Sequence, residues 1–332
     1  MTTSAHAEKS GKANRENSSV PVSFLVTSYN KVAYLATVLA SVWHEAQANG
    51  GEVIVIDDGS TDGSEKVCAA FVEAHPAVHY SRRDNRGIYA TINDIATKAR
   101  GKWVRFCDSD DPLLPGSTRR LIEVAEKNGA GVAYGTALPY GPNPLAESQV
   151  AGAVSAPGAS AVHADGTMYL IQGMNFTPSM SIYRRDLLKE ALPLPQDLVS
   201  CQDLALLFPI IHHASLAYVD EPVCFNLKGA RNQLSANHAL TLHQTIRITQ
   251  HYAPLLSAEH KRAALLKAAN RTRRWLRKAR PELNSLGTQL RLLSIATLAK
   301  LGALDFNTKL EQIAEFYEHD LQPILEQRAK PF

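Results

Sequence analysis

The sequence has only four cysteines, Cys68, Cys107, Cys201 and Cys224, and no two of them stand in a CxxC spacing. A disulfide framework and a cysteine-ligated zinc module are therefore disfavoured, and buried thiols in a reducing compartment are the plain reading. Long apolar runs are missing as well. The richest stretch, Leu204 to Val219, is broken by Pro209, His212 and His213, far short of the ~18 uninterrupted apolar residues of a membrane span. Residues 1–19 hold no apolar segment of the kind a secretory leader needs. Charge of one sign is scarce: 35 Lys and Arg against 32 Asp and Glu leave +3 over 332 residues, too little to argue for a nucleic-acid partner. No GxGxxG follows the first apolar run, and neither GxxxxGK[ST] nor GxSxG occurs. A nicotinamide dehydrogenase, a P-loop NTPase and an α/β-hydrolase are disfavoured in turn. The 12 histidines show no metal-ligand spacing.

What is present is an alternation. After a polar stretch read as a disordered tail (1–20), short apolar runs at 22–27, 52–57, 78–80 and 103–107 alternate with helical periodicity at 31–47, about 60–74 and 88–99. That pattern predicts an α/β domain with a mostly parallel sheet covered on both faces. Residues 136–164, rich in Gly, Pro, Ala and Ser, read as a loop excursion. Beyond about residue 240 only helical pattern remains, at 240–252, 257–280, 284–301 and 307–327. The expected division is a catalytic-type domain over 21–238 and a helical region over 239–332.

In sheets of this type ligands sit beyond the carboxyl ends of the strands, and two acidic clusters fall there: Asp57-Asp58-Gly59-Ser60-Thr61-Asp62 and Asp108-Ser109-Asp110-Asp111-Pro112. Either cluster alone could be ordinary turn and cap chemistry. Both at strand ends of one sheet favour a site, because converging carboxylates repel unless donors or a cation offset them. Oxygen ligands of this kind suit Mg²⁺ or Mn²⁺ bridging protein to substrate phosphates.

These segments resemble family 2 glycosyltransferases of the GT-A fold. Val26-Thr-Ser-Tyr-Asn30, Asp57-Asp-Gly-Ser-Thr-Asp62 and Asp108-Ser-Asp-Asp111 carry the likeness, with Asn85-Arg-Gly87, Asn93, the Thr177–Arg185 segment and Cys201-Gln-Asp203-Leu downstream. The resemblance implies that Thr27 and Tyr29 lie near a nucleobase, that Asp58 accepts from it, and that Arg86 or Arg83 reaches base or diphosphate. It implies that Asp108 contacts ribose or sugar, that Asp110 binds the divalent metal (the DXD motif), and that Asp203 is the general base of an inverting transfer. Departures accompany it. Thr27-Ser28 replaces the usual Pro-Thr, Gln202 stands where a Glu is common, and Arg105 interrupts an apolar strand. For Arg105, pairing with a carboxylate and pointing to solvent are both open. The family's loop His is missing, and Lys228 or Arg231 is expected to supply charge to the diphosphate, with His238 a weaker candidate.

Residues 261–280 hold nine Lys or Arg and no acid. Two readings stand: a helix docking on anionic lipid at the inner face of the membrane, or a solvated basic face packed through Leu265, Ala269, Thr272 and Leu276. The leading functional expectation is a cytoplasmic, metal-dependent (Mn²⁺ or Mg²⁺) glycosyltransferase. It would move a sugar from a nucleoside diphosphate donor, UDP-linked first, to a hydroxyl acceptor of a surface polysaccharide or lipopolysaccharide, lipid-linked or free. A degenerate nucleotide- or partner-binding relative and a sugar nucleotidyltransferase are the alternatives.

Overall fold

The computed structural model describes residues 20–173, 176–230, 236–301 and 305–329. Strands β1 (Val22–Ser28), β2 (Glu52–Asp57), β3 (His79–Arg82) and β4 (Trp103–Asp108) are separated by helices α1 (Val32–Asn49), α2 (Ser64–Ala74) and α3 (Gly87–Ala96). β1 pairs in parallel with both β2 and β4, and β2 with β3. Every residue of β1 and β2 is buried, as a parallel sheet covered on two faces requires. After α4 (Ser117–Lys127) come β5 (Val132–Tyr140), α5 (Glu147–Ala151), β6 (Ser160–His163), α6 (Gly166–Gln172), β7 (Ser181–Arg184), α7 (Gln202–His213) and β8 (Leu216–Leu227). The eight strands form one sheet in the order β3-β2-β1-β4-β7-β5-β8-β6. β7 runs antiparallel to both neighbours and β6 antiparallel to β8.

The expected loop at 136–164 is corrected: it contains the second half of β5, the short helix α5 and the edge strand β6. Gly135 and Pro139 look like strand breakers. Past Tyr134, however, β5 pairs only with β8, across register shifts at 134–137, so Pro139 has no ladder bond to give on its open side. β6 is exposed along most of its length, which leaves no apolar alternation to read.

Four C-terminal helices follow: α8 (His238–His251), α9 (Ala258–Ala279), α10 (Leu286–Leu301) and α11 (Phe306–Ala329). They match the expected helical segments closely. Their apolar faces share one buried cluster with the sheet and α7: Leu25, Val104 and Tyr183 belong to the same core as Leu240, Leu276 and Tyr317. Leu265, Ala269, Thr272 and Leu276 are the buried stripe of α9. Among the described residues no helix is long and apolar enough to cross a membrane.

Arg105 does not reach solvent. It is 0% exposed, donates to the Ser117 and Thr118 hydroxyls at 2.9 and 2.6 Å and to the Ser179 and Val223 carbonyls at 3.1 and 2.9 Å, and stands 3.9 Å from the Glu45 carboxylate. Glu45, equally buried on α1, accepts from the Gly116 and Thr118 N–H groups at 2.6 and 2.8 Å, so it caps α4. Removing one partner of such a pair strands the other in a dry interior. Arg105→Met is expected to lower the unfolding free energy by about 3–5 kcal/mol. Glu45→Gln with Arg105→Met should cost less than the two single changes summed; strict additivity in urea unfolding would refute the coupling.

Candidate active site

The carboxyl ends of β1, β2 and β4 open into a cavity of about 540 Å³, whose far wall is built from α6, α7, α8 and α9. Thr27, Tyr29, Asp58, Asp108, Asp110 and Asp203 all line it.

The first acidic cluster divides by role. Asp57 accepts from the Ser60 N–H and hydroxyl at 3.0 and 2.6 Å, which shapes the turn. Asp62 accepts from Val32 N at 2.9 Å and Ser64 N at 3.0 Å, so it caps α1 and orders the start of α2. Asn30, at φ 51, accepts from Thr61 N at 2.8 Å while its own N–H donates to Ser60 Oγ at 2.9 Å. The loops after β1 and β2 are thereby tied together. Only Asp58 of this cluster lines the cavity. Its Oδ1 accepts from Arg83 Nε at 2.9 Å and Arg86 N at 3.0 Å, and its Oδ2 from Gly87 N at 2.8 Å. Gly59, at φ +79, lets the chain pass so close to Asn85 that a Cβ would meet its N at 2.7 Å. Of the two arginines named from sequence, Arg83 therefore faces Asp58, while the exposed Arg86 side chain turns to Asp94.

In the second cluster all three carboxylates line the cavity. Asp108 N donates to Ser179 Oγ at 2.9 Å. Burial pushes the Asp108 carboxyl well above the usual range, and repulsion from Asp111, Asp110 and Asp203 adds to it. Asp111 is pushed up to about 7, mainly by burial and by Asp110, although Leu227 N and Asn226 Nδ2 donate to it at 3.2 and 3.1 Å. Asp110 is paired with Lys31 Nζ at 2.5 Å. Among the described residues no three His, Cys, Asp or Glu cluster so as to cage a metal by themselves. Two hard carboxylates facing a cavity, mutually repelling, fit an ion whose remaining ligands come from substrate phosphates.

Asp203 lies in the first turn of α7, after Cys201, which holds a strained φ of 61. That loop is fastened from two sides: Tyr89 Oη donates to the Ser200 carbonyl at 2.7 Å, and Val199 N donates to Gln244 Oε1 of α8 at 2.8 Å. Burial raises Asp203 to about 6, against hydrogen bonds from the backbone of Leu204 and of Asp203 itself. Gln202 beside it is neutral, so the rise comes from desolvation and not from an adjacent charge on the helix.

Lys228 is exposed and off the cavity wall, and Arg231 lies outside the described residues. Among the described residues the cations that line the cavity are Lys31, Lys267 and Arg271, none of them expected there from sequence. Lys31 directly follows the first strand-end motif. Lys267 and Arg271 were visible only as part of a basic run; its packed stripe could be read, but not that these two cations flank the stripe toward the cavity.

The profile of glycosyl transferase family 2 matches residues 23–192. A putative glycosyltransferase, EpsH, of Bacillus subtilis is 31% identical over 104 residues, 31% of this chain and 30% of that one. The succinoglycan biosynthesis protein ExoO of Rhizobium meliloti is 36% identical over 116 residues, 34% of this chain and 32% of that one. The matched stretch thus spans about a third of each curated relative. Among solved structures, S. aureus TarS 1-349 in complex with UDP-GlcNAc superposes at TM-score 0.61 with 20% identity, covering 93% of this chain and 87% of that one. The Pyrobaculum calidifontis mannosyltransferase PcManGT with GDP-Man and Mn²⁺ superposes at 0.51 with 16% identity, covering 90% and 87%. The architecture is the expected GT-A fold, helical region included.

The raised Asp203 carboxyl has a consequence for stability. An unfolded chain releases that proton near the ordinary value of 3.8, whereas the folded chain holds it to about 6. Between the two the folded state binds more protons, so this group's contribution falls as pH rises and is flat above. Asp203→Asn should therefore gain stability relative to the parent, on the order of 2 kcal/mol more at pH 7.5 than at pH 4. Urea unfolding at both pH values measures it; an equal difference at both would refute the raised value.

Proposed function

This chain belongs to glycosyl transferase family 2, and on that premise we propose that it transfers a sugar from a nucleoside diphosphate donor, UDP-linked first, to a hydroxyl of a polysaccharide or lipopolysaccharide acceptor, with inversion. The observation that carries the reading is convergence: Asp58, Asp108, Asp110 and Asp203, from three separate segments, line one cavity. The name of the relative ExoO, a succinoglycan biosynthesis protein, supports a polysaccharide product.

The roles follow from chemistry. A carboxylate offers about four acceptor positions, and three at Asp58 are taken by Arg83, Arg86 N and Gly87 N. The remaining one suits the imide N–H of a base, with the half-exposed Tyr29, 47% accessible, free to cover its ring. Asp108 meets ribose or sugar hydroxyls, and Asp110 with Asp108 would hold Mn²⁺ or Mg²⁺. That ion, when bound, offsets the charge developing on the leaving diphosphate. Asp203 takes the proton of the acceptor hydroxyl while the acceptor's oxygen bonds the anomeric carbon and the bond from that carbon to the diphosphate breaks. A single base with no second nucleophile gives one displacement and hence inversion. Residues 21–238 are the catalytic unit on this reading and 239–332 the C-terminal region, whose helices α8 and α9 close the acceptor wall.

The chain acts in the cytoplasm on this reading. Arg262, Arg274, Arg277 and Lys278 remain exposed on α9 for an anionic surface at the inner face of the membrane. Salt-sensitive co-sedimentation with anionic vesicles is the expected result, and absence of binding at low salt would remove that part.

Calorimetry of UDP and GDP with Mn²⁺ or with chelator tests the donor site. Asp110→Ala should abolish the metal-dependent part of binding, and donor affinity equal to the parent's would contradict the metal role. Asp203→Asn should bind donor within about twofold yet lose about 10²–10⁴ in kcat. Because the base must be ionised, kcat/KM should fall about tenfold per pH unit below about 6 and level off above it; a flat profile through that region would exclude Asp203 as the base.

A further inference from the structure

Lys267 and Arg271 lie four residues apart on α9, one turn above the other, and both line the main cavity. They also stand on the wall of a smaller cavity of about 40 Å³ behind it, lined by Phe208, Leu242 and Tyr317, so apolar groups back them. Among the described residues neither has an ion-pair or hydrogen-bond partner. The ammonium of Lys267 is seated over Gly173, where a Cβ would come within 2.5 Å of Nζ. Gly173, at φ +99, ends α6, and any side chain there would take the space that the ammonium fills. Their surroundings, Leu170, Phe176 and Thr245, come from α6, the segment after it and α8, whereas the proposed nucleotide end is built from strand termini. Cys201 and Asp203 line the same cavity as this pair.

Two like charges one turn apart, sheltered from water and unpaired, are unfavourable until an anion joins them. The strain is visible at Lys267, lowered to about 8 by burial and by Arg271 and Arg274. A single carboxylate would neutralise only one of the two cations. A phosphate carries nearly two charges and offers oxygens to an ammonium and a planar guanidinium together. We propose that Lys267 and Arg271 form a phosphate subsite that selects a phosphate-bearing acceptor, holding it beside Asp203. The acceptor assignment rests on the glycosyltransferase reading; the phosphate subsite itself does not.

The test is calorimetric titration of inorganic phosphate, with and without saturating UDP and Mn²⁺, on the parent, Lys267→Met, Arg271→Met and Lys267→Arg. The parent is expected to bind phosphate in both conditions. Each Met variant should bind phosphate at least tenfold more weakly while its UDP affinity stays within twofold, and Lys267→Arg should keep phosphate affinity. Phosphate affinity unchanged in the Met variants would overturn the subsite. UDP abolishing phosphate binding, or UDP affinity falling tenfold in folded variants, would assign the pair to the donor diphosphate and overturn the acceptor role. Loss of phosphate affinity in Lys267→Arg as large as in Lys267→Met would mark a packing defect and equally overturn it. If UDP binds none of the proteins, the functional reading fails, and the nucleotide-free arm still decides the subsite.

Discussion

A guanidinium sealed from solvent organises the acidic rim of this molecule. Arg105 sits in the strand that ends in Asp108, and its four hydrogen bonds reach α4, β8 and the segment before β7. The same Ser179 whose carbonyl it holds accepts from Asp108 N through its hydroxyl oxygen, and Glu45 beside it fixes the start of α4. Ser41 on α1 accepts from Leu113 N at 3.0 Å and anchors the far end of the acidic loop. The loop bearing Asp108, Asp110 and Asp111 therefore hangs between elements that one buried cation has already gathered. Burying charge is costly, and the return here is geometric: repelling carboxylates are held where their own electrostatics would not leave them.

The cavity is polarised as a result. Carboxylates from the β4 terminus and α7 crowd one part, two cations from α9 without a partner among the described residues occupy another, and Lys31 bridges to the acidic side. Neither part is electrostatically content by itself. A ligand with phosphates, hydroxyls and an accompanying cation relieves both, which is why a site like this favours highly charged, oxygen-rich molecules over apolar ones.

The strands and helices of the first half were legible because buried parallel strands are continuous apolar runs, as in Val22–Ser28 and Glu52–Asp57. The C-terminal helices were legible from their period. β6 and the end of β5 were not: Pro139 and Gly135 obey tertiary context, and an exposed edge strand has no alternation. At the site, Asp58, Asp108, Asp110 and Asp203 could be read because each follows a strand or opens a helix. Arg105 could be noticed as odd but not located, since its partners Glu45, Ser117, Ser179 and Val223 are scattered along the chain. Lys267 and Arg271 escaped for a similar reason: α9 carries eight Lys and Arg, and its apolar stripe does not say which of them flank it toward the cavity.

The bonds among Asn30, Ser60, Thr61, Asp62 and Ser64 weld two strand-end loops and the starts of two helices into one unit. Loops of an α/β sheet ordinarily breathe independently, each opening at its own small free energy. Here the four segments open together or not at all. The seat beneath Tyr29 is thus preformed, and a ligand arriving there finds its partners in place instead of recruiting them. A ligand bound at that end of the cleft therefore needs no rearrangement of the loops after β1 and β2 to meet them.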